Sequence, residues 1–341
     1  MLQTGFFDFE DRFKKIDEKD KLLELNVLID WEAFRPVLKK LEPKRKNSAG
    51  RKRKDAVMMF KGLVLQHLYN LSDEELEYQI RDRYSFCRFL GLQPEESVPD
   101  ANTFWDYRQS LIDHHLSKDL FHQFHKQLHA SGIKATKGQI IDASFVDVPK
   151  QRNKRTENEQ IKNGEIPDSF KENPAKLSQK DTDARWTKKN NETHYGYKNH
   201  INADCGNKII QNFEVSSAEV HDSQVLDDIL TENSSKGVYA DSAYRSKAQE
   251  ERLEKSNYKS CIIKKAYKNK PLTDQDKAWN KTHSKIRVRV EHVFGSMTNE
   301  QNGLFFKVIG KARVECKVGL MNLVYNMRRF LQIQRMSPSR I

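Results

Sequence analysis

Two apolar runs of strand length in the second half of this chain are each marked by an aspartate. Asp142 interrupts Gln139-Ile140-Ile141-Asp142-Ala143-Ser144-Phe145-Val146, and Asp241 closes Gly237-Val238-Tyr239-Ala240-Asp241. A third carboxylate, Glu291, lies in Ile286-Arg287-Val288-Arg289-Val290-Glu291-His292-Val293-Phe294, which reads as a helix. An ionised carboxylate at an apolar, strand-like position is costly to bury unless a partner compensates it, and a metal ion is the usual partner. Two carboxylates from strands and one from a helix predict a cage for divalent cations, a kind of site that serves phosphoryl chemistry.

The surrounding pattern divides the chain. Residues 1–137 are expected to form a mostly helical N-terminal domain, with Val57, Met58, Phe60, Leu63, Val64 and Leu68 on one amphipathic segment. Leu116, Leu120, Phe121, Phe124 and Leu128 share one face of another. From Gly138 the period shortens to β runs, and residues 138–341 are read as a second domain. A long polar insert, 149–193, follows the first strand and has almost no apolar periodicity; a loop of that length is either functional or disordered. Tyr195 to Ala203 and Ile209 to Val215 flank Cys205-Gly206-Asn207-Lys208 and predict a hairpin. A helix starting near His221-Asp222, the strand closed by Asp241, a helix opened by Ser246-Lys247-Ala248-Gln249, a strand at Ser260-Cys261-Ile262-Ile263 and two final helices complete the order. Three early strands followed by alternating strands and helices is the chain order of an RNase H-like α/β domain. Asp241 would then lie where its strand ends, on the side where such sheets bind ligands.

Charge points to the partner. The net charge is +12, with 24 basic and 22 acidic residues in 1–137 but 36 and 26 in the remainder. A basic excess concentrated around three carboxylates suits a polyanionic substrate, with nucleic acid the leading candidate. The tract 44–54 places Lys44, Arg45, Lys46, Arg51, Lys52, Arg53 and Lys54 in eleven residues, and reads as a phosphate-gripping arm or, more plainly, a solvated loop. Cys87, Cys205, Cys261 and Cys316 are scattered, so neither a disulfide framework nor a zinc motif is expected. With no secretory leader and no stretch of membrane-spanning length, the expectation is a cytoplasmic protein without a membrane partner.

Other side chains have a functional and a plain reading. Ile286, Val290, Val293, Phe294 and Met297 fall on one helical face with Glu291 at its border, and Arg287, four residues earlier, beside it. That pair is either part of the site or a surface ion pair. Lys198 and His200 alternate on a strand, which allows them to share the Asp142 face, and read either as DNA-phosphate contacts or as solvated residues of an edge strand. Trp186, flanked by Arg185, Lys188 and Lys189, could stack on an unpaired base or pack its loop onto the body. His221-Asp222 at a helix start reads as a cap, which an Asp there favours, in preference to a metal site. His122, His125 and His129 read as a solvated helix face, and the final helix as a brace for the sheet.

Several stretches, in order, carry a resemblance: Phe60 to Leu92, Ile140-Ile141-Asp142-Ala143-Ser144, Asp183-Ala184-Arg185-Trp186-Thr187-Lys188-Lys189, His194-Tyr195-Gly196-Tyr197-Lys198-Asn199-His200, Ala240-Asp241-Ser242-Ala243-Tyr244 and Arg287 to Phe294. Together they resemble the DDE transposases of bacterial insertion sequences, specifically the insertion-sequence family numbered five. The resemblance implies an RNase H-like catalytic domain, a helical DNA-binding region, and Asp142, Asp241 and Glu291 as the catalytic, metal-holding triad. Some transposases of the wider group carry a Tyr-Arg-Glu-Lys signature; Arg287 matches its Arg, but Ser284 and Thr298 stand at the Tyr and Lys positions, so those two roles do not carry over.

The expected activity is binding of terminal inverted repeats in double-stranded DNA, cleavage to 3′-OH ends and joining of those ends to target DNA. Two Mg2+ ions would serve it, with Mn2+ substituting, and Asp142 would bridge them. Synapsis of two ends implies a homodimer or larger assembly. An RNase H-like nuclease without strand transfer, and a non-catalytic DNA-binding protein derived from a transposase, are the alternatives.

Overall fold

Helix starts in the first part of the chain follow capping side chains. In a computed structural model that describes residues 20–42, 53–93, 96–189, 191–267, 271–303 and 305–336, the chain divides into two compact units, Met1–Gln127 with Phe330–Ile341, and Leu128–Arg329. The first unit contains α1 (Lys21–Leu28), α2 (Arg35–Leu38), α3 (Ala56–Tyr69), α4 (Asp73–Asp82), α5 (Tyr84–Leu90), α6 (Ala101–Asp113) and most of α7 (Ser117–Ala130). Asp55 opens α3 by accepting from the Val57 and Met58 amides at 2.9 and 3.0 Å, and Asp100 opens α6 by accepting from Thr103 at 2.7 Å. Trp31, Phe34, Phe60 and Phe89 form an aromatic centre, with Phe34 and Phe60 centroids 4.9 Å apart. Gly62 lets α3 approach α6, since a Cβ there would meet the Phe104 ring at 2.3 Å. Of the basic tract only Arg53 and Lys54 are described; Lys44, Arg45, Lys46, Arg51 and Lys52 lie outside the described residues.

The second unit is a mixed six-stranded sheet flanked by helices. Its strands are β1 (Gln139–Asp147), β2 (Arg185–Lys189), β3 (Glu192–Asp204), β4 (Ile210–Ser217), β5 (Gly237–Ala240) and β6 (Lys259–Ser260), in the order β2-β3-β1-β5-β6 with β4 also beside β3. β1 is central, antiparallel to β3 and parallel to β5. Ile141, Val238 and Ala240 pack on one side with Leu226, Ile229, Leu253 and Ile262, burying the apolar faces of the short helices α11 (Leu226–Ile229) and α12 (Lys247–Lys255).

The stretch 149–193 holds structure that its polarity does not announce. It carries α8 (Arg155–Lys162), α9 (Asp168–Lys171), α10 (Pro174–Ser178) and the edge strand β2. Scattered anchors hold these short pieces. Phe170 is fully buried under the Lys176 and Lys180 ammoniums, 4.6 and 5.5 Å from its ring centre. The buried Asp181 carboxylate accepts from the Tyr197 hydroxyl at 2.6 Å and the Gly310 amide at 2.9 Å. Anchors so scattered leave no period to read.

The helix expected around Glu291 is two helices. α13 (Asp274–Arg287) opens on a capping box between Thr273 and Asp276, a tight turn over Val288–Val290 follows, and α14 (Glu291–Gln301) starts at the glutamate. Val288 and Val290 are β-branched and crowd the preceding turn, which favours a local tightening there. Val290, Val293 and Met297 are buried as their spacing predicts; Ile286 and Phe294 are half-buried. α15 (Lys311–Met336) is held to the sheet by two buried asparagines as well as by its apolar face. Asn322 exchanges amide hydrogen bonds with Asn199 at 3.0 and 3.1 Å. Asn326 accepts from the Ile210 amide and donates to its carbonyl, at 2.9 and 2.8 Å, beside the irregular register at Asn202/Ala203 where the ladder leaves groups unpaired. No described helix is long and apolar enough to cross a membrane.

Candidate active site

The two aspartates come together because β5 is short. Its parallel pairing with β1 runs Gln139↔Val238, Ile140↔Tyr239 and Ile141↔Ala240, and ends there. Asp142 is the next residue of β1, which runs on to Asp147, and Asp241 is the first residue beyond β5, so both stand where the β1–β5 ladder ends. Asp241 turns its carboxylate to the Ser242 amide at 2.6 Å and starts a tight turn over Ser242–Tyr244. Asp142 accepts from the Ala143 amide at 2.9 Å.

Arg287, the last residue of α13, reaches this place. Its Nη1 lies 3.1 Å from Asp142 Oδ2, and its Nη2 lies 4.0 Å from Glu291 Oε1. The contact to Glu291 is the i,i+4 pair legible in the sequence; the shorter one, to Asp142, spans 145 residues. One guanidinium therefore links two of the three carboxylates, while Asp142 and Asp241 are linked through the sheet. The carboxylates differ in exposure: the Asp142 side chain is 18% exposed and that of Glu291 63%. Burial pushes the Asp142 carboxyl above its ordinary value; the Ala143 amide, Arg287 and Lys189 oppose that rise and the Asp241 charge adds to it. An anionic centre that resists its own charge is one that favours a cation.

Lys198 and His200 occupy the other side of the sheet from Asp142. The β1–β3 register pairs Asp142 with Ile201, Ala143 with His200 and Phe145 with Lys198. Directly paired residues share a face, so the expected common face with Asp142 is corrected: counting by twos along one strand does not set its phase against another. The Lys198 ammonium donates to the Val220 carbonyl at 2.7 Å and pairs with Asp222 at 2.8 Å, with side chains only 11% and 12% exposed. Asp222, read as a helix cap, is thus the counter-ion of a buried lysine, and His221 supplies the cap instead. The signal available in the sequence was only the odd placement of a lysine in an otherwise buried strand.

His200 is fully buried, with Nε2 2.7 Å from Ser216 Oγ. Burial lowers its imidazole from 6.5 to about 4, the nearby Lys198 charge acting the same way and Asp222 against it. A depressed folded-state value means stability is complete above the unfolded value near 6.5 and is lost as pH falls through 4. The Tm difference between wild type and His200→Asn is expected to narrow over that window; parallel curves would exclude this role for His200.

Trp186, on β2, is half exposed, 4.8 Å from the Tyr195 ring with Lys150 5.5 Å from its centre. Arg53 and Lys54 belong to the first unit, and Lys54 Nζ bonds to Ser97, its distance to Oγ being 2.8 Å. Tyr244, which sequence reasoning passed over except as part of a motif, is fully buried, and its hydroxyl has no partner among the described residues.

Comparison with protein families bears on this constellation. Residues 134–327 match the family described as Transposase DDE domain, which takes in β1, β5, α13 and α14 with all three carboxylates. The chain belongs to the Transposase DDE domain family. Residues 10–110 match a second family, Transposase domain (DUF772). The protein is an insertion-sequence DDE transposase, an enzyme of DNA transposition. Among solved structures it is similar to the piggyBac transposase in a cryo-EM synaptic complex with hairpin DNA, at 12% identity and a TM-score of 0.45 over 95% of this chain and 75% of that one. That likeness is too slight to build on.

Transposases of this family depend on divalent metal. Among the described residues no three histidine, cysteine, aspartate or glutamate side chains stand close enough together to hold one ion. The chemistry of the donors nonetheless fits. All three are hard carboxylate oxygens, and Mg2+ retains several waters and so needs few protein ligands.

Proposed function

We propose that this transposase carries its chemistry on Asp142, Asp241 and Glu291 in an RNase H-like domain, as a member of the insertion-sequence family numbered five. The observation that carries the reading is the placing of Asp142 and Asp241 side by side just past the end of the β1–β5 ladder, with Arg287 touching Asp142 and reaching toward Glu291. Asp142, Asp241 and Glu291 would hold two Mg2+ ions; Mn2+ would substitute. Bound there, the cations would activate the attacking oxygen and stabilise the leaving one. Arg287, already positioned between two carboxylates, would turn its guanidinium to a DNA phosphate. Trp186, exposed between cations, would stack on an unpaired base, and the 44–54 tract would grip phosphates.

The substrate would be the terminal inverted repeats of the transposase's own element, held by a homodimer or larger assembly. In cleavage a water oxygen bonds to phosphorus and the DNA 3′ oxygen leaves with a proton. In joining, that 3′-OH attacks a target phosphodiester and the target's 3′ oxygen leaves, so no phosphodiester bond is lost overall.

The test is incubation of the full chain with Mg2+ or Mn2+, the element's end duplex and a target plasmid, with nicks mapped to the nucleotide. A 3′-OH nick at the repeat boundary and a joined product are expected. Nicking without joining would favour a nuclease; no metal-dependent cleavage on any end would favour a DNA-binding protein alone.

A further inference from the structure

The turn at 205–208, between β3 and β4, gathers positive charge from separate parts of the chain. Arg289 donates from Nη2 to the Gly206 carbonyl at 3.3 Å, and Arg329 from Nε to the Asn207 carbonyl at 2.7 Å. The Lys137 stem lies over Gly206, where a Cβ would meet its Cδ at 2.8 Å. Lys208 belongs to the turn itself, on a left-handed backbone with φ 62°. Burial, with the charges of Arg329 and Arg289 behind it, holds the Lys208 ammonium below its ordinary value.

Like charges gathered in this way oppose folding unless something offsets them. The carboxylate beneath the turn is already spent. Asp204 is buried, and its oxygens accept from the Thr136, Lys137, Gly206 and Asn207 amides. The turn carbonyls fix the guanidiniums but carry no charge to neutralise them. Lys137, Lys208 and Arg289 form no ion pair among the described residues. Lys137 is exposed and the other two half-buried, so all three stay open to an anion from solution. Arg289 uses one of its five N–H donors on Gly206, which leaves others to give.

The place of the turn says which anion. Asp204 pairs with Gln139, three residues before Asp142 on β1, so the turn lies about 10 Å along that strand from the candidate site. Arg289 stands two residues beyond Arg287, which touches Asp142. Base steps rise by about 3.4 Å, so a duplex passing Asp142 would bring another phosphate to the turn roughly three steps away.

We propose that Lys137, Lys208 and Arg289 form a phosphodiester-binding patch that grips the backbone of duplex DNA lying across the candidate site. Only the placing of that duplex rests on the reading of Asp142 as catalytic. Phosphate contacts fix position and carry no sequence information, so the patch holds any duplex alike.

The test is fluorescence anisotropy of the full chain in EDTA, with a labelled end duplex and an unrelated duplex of equal length, across a salt series. Each phosphate contact contributes about 0.9 to the slope of log affinity against log salt. The triple variant Lys137→Gln, Lys208→Gln, Arg289→Gln is expected to lower that slope by about 2.7 and to weaken both duplexes alike, at least about tenfold at low salt. The charge-keeping triple Lys137→Arg, Lys208→Arg, Arg289→Lys is expected to retain the slope. An unchanged slope in the glutamine triple would overturn the proposal, as would a loss confined to the end duplex, which would mean base reading. If the glutamine triple does not fold, Lys137→Gln and Lys208→Gln singly carry the test, at about 0.9 each. EDTA keeps the outcome independent of the carboxylates. Wild-type nicking by Asp142→Asn would remove the catalytic reading and leave the patch standing; an unchanged slope beside an inactive Asp142→Asn would remove the patch alone.

Discussion

Asp142→Asn is expected to reduce metal-dependent nicking of an end duplex by at least about a thousandfold, the scale on which losing a group that acts on transition-state charge is felt. The reason is its position. Asp142 lies on the central strand, beside Asp241 across the end of the β1–β5 ladder and in contact with Arg287. No other described carboxylate adjoins both elements in that way. Binding of the same duplex in EDTA is expected to stay within a few-fold of wild type, since the substitution removes a negative charge and leaves the basic surface untouched. The fold should not suffer: burial already resists ionisation of this carboxyl, so Tm near neutral pH is expected to hold or rise. Nicking at the wild-type rate by Asp142→Asn would remove the assignment.

Lys198→Met is expected to cost about 3–5 kcal/mol of unfolding free energy, the range for breaking a buried ion pair from one side. Asp222 would be left with its side chain 12% exposed and no countercharge. The double variant Lys198→Met with Asp222→Asn should recover most of that loss, because replacing both partners removes the stranded charge. Urea unfolding of the four proteins in the cycle checks this. A single-variant loss under about 1 kcal/mol would mean that the pair is effectively solvated. Salt dependence of DNA binding offers a second reading: a lysine committed to Val220 and Asp222 should leave the slope of affinity against salt unchanged when it is replaced.

The two aspartates were legible in the sequence because burial makes them conspicuous: a carboxylate in an apolar run of strand length asks for compensation. Glu291 was legible only as half of an Arg–Glu pair, since a helix border position is ordinary for either residue. The break before Glu291 was not visible, because Val288 and Val290 continue the apolar spacing across a turn that tightens. The short elements within 149–193 escaped for a related reason. Phe170 is held under the nearby Lys176 and Lys180 and Asp181 through Tyr197 and the distant Gly310, and anchors so scattered make no period.

What the sequence determined alone was composition by segment: a helical first part, strands from Gly138 onward, a basic excess in the second part and three carboxylates worth following. These are local properties, set by spacing and by the cost of burying charge. What only the tertiary structure decided was which of these meet. β5 ends at Ala240, and that termination sets Asp241 beside Asp142. The register of β3 on β1 turned Lys198 and His200 away from Asp142 and toward Asp222 and Ser216. Arg287 found Asp142 across 145 residues. Strand register, strand length and long-range ion pairing are choices between chain segments, and a pattern read along one segment does not contain them.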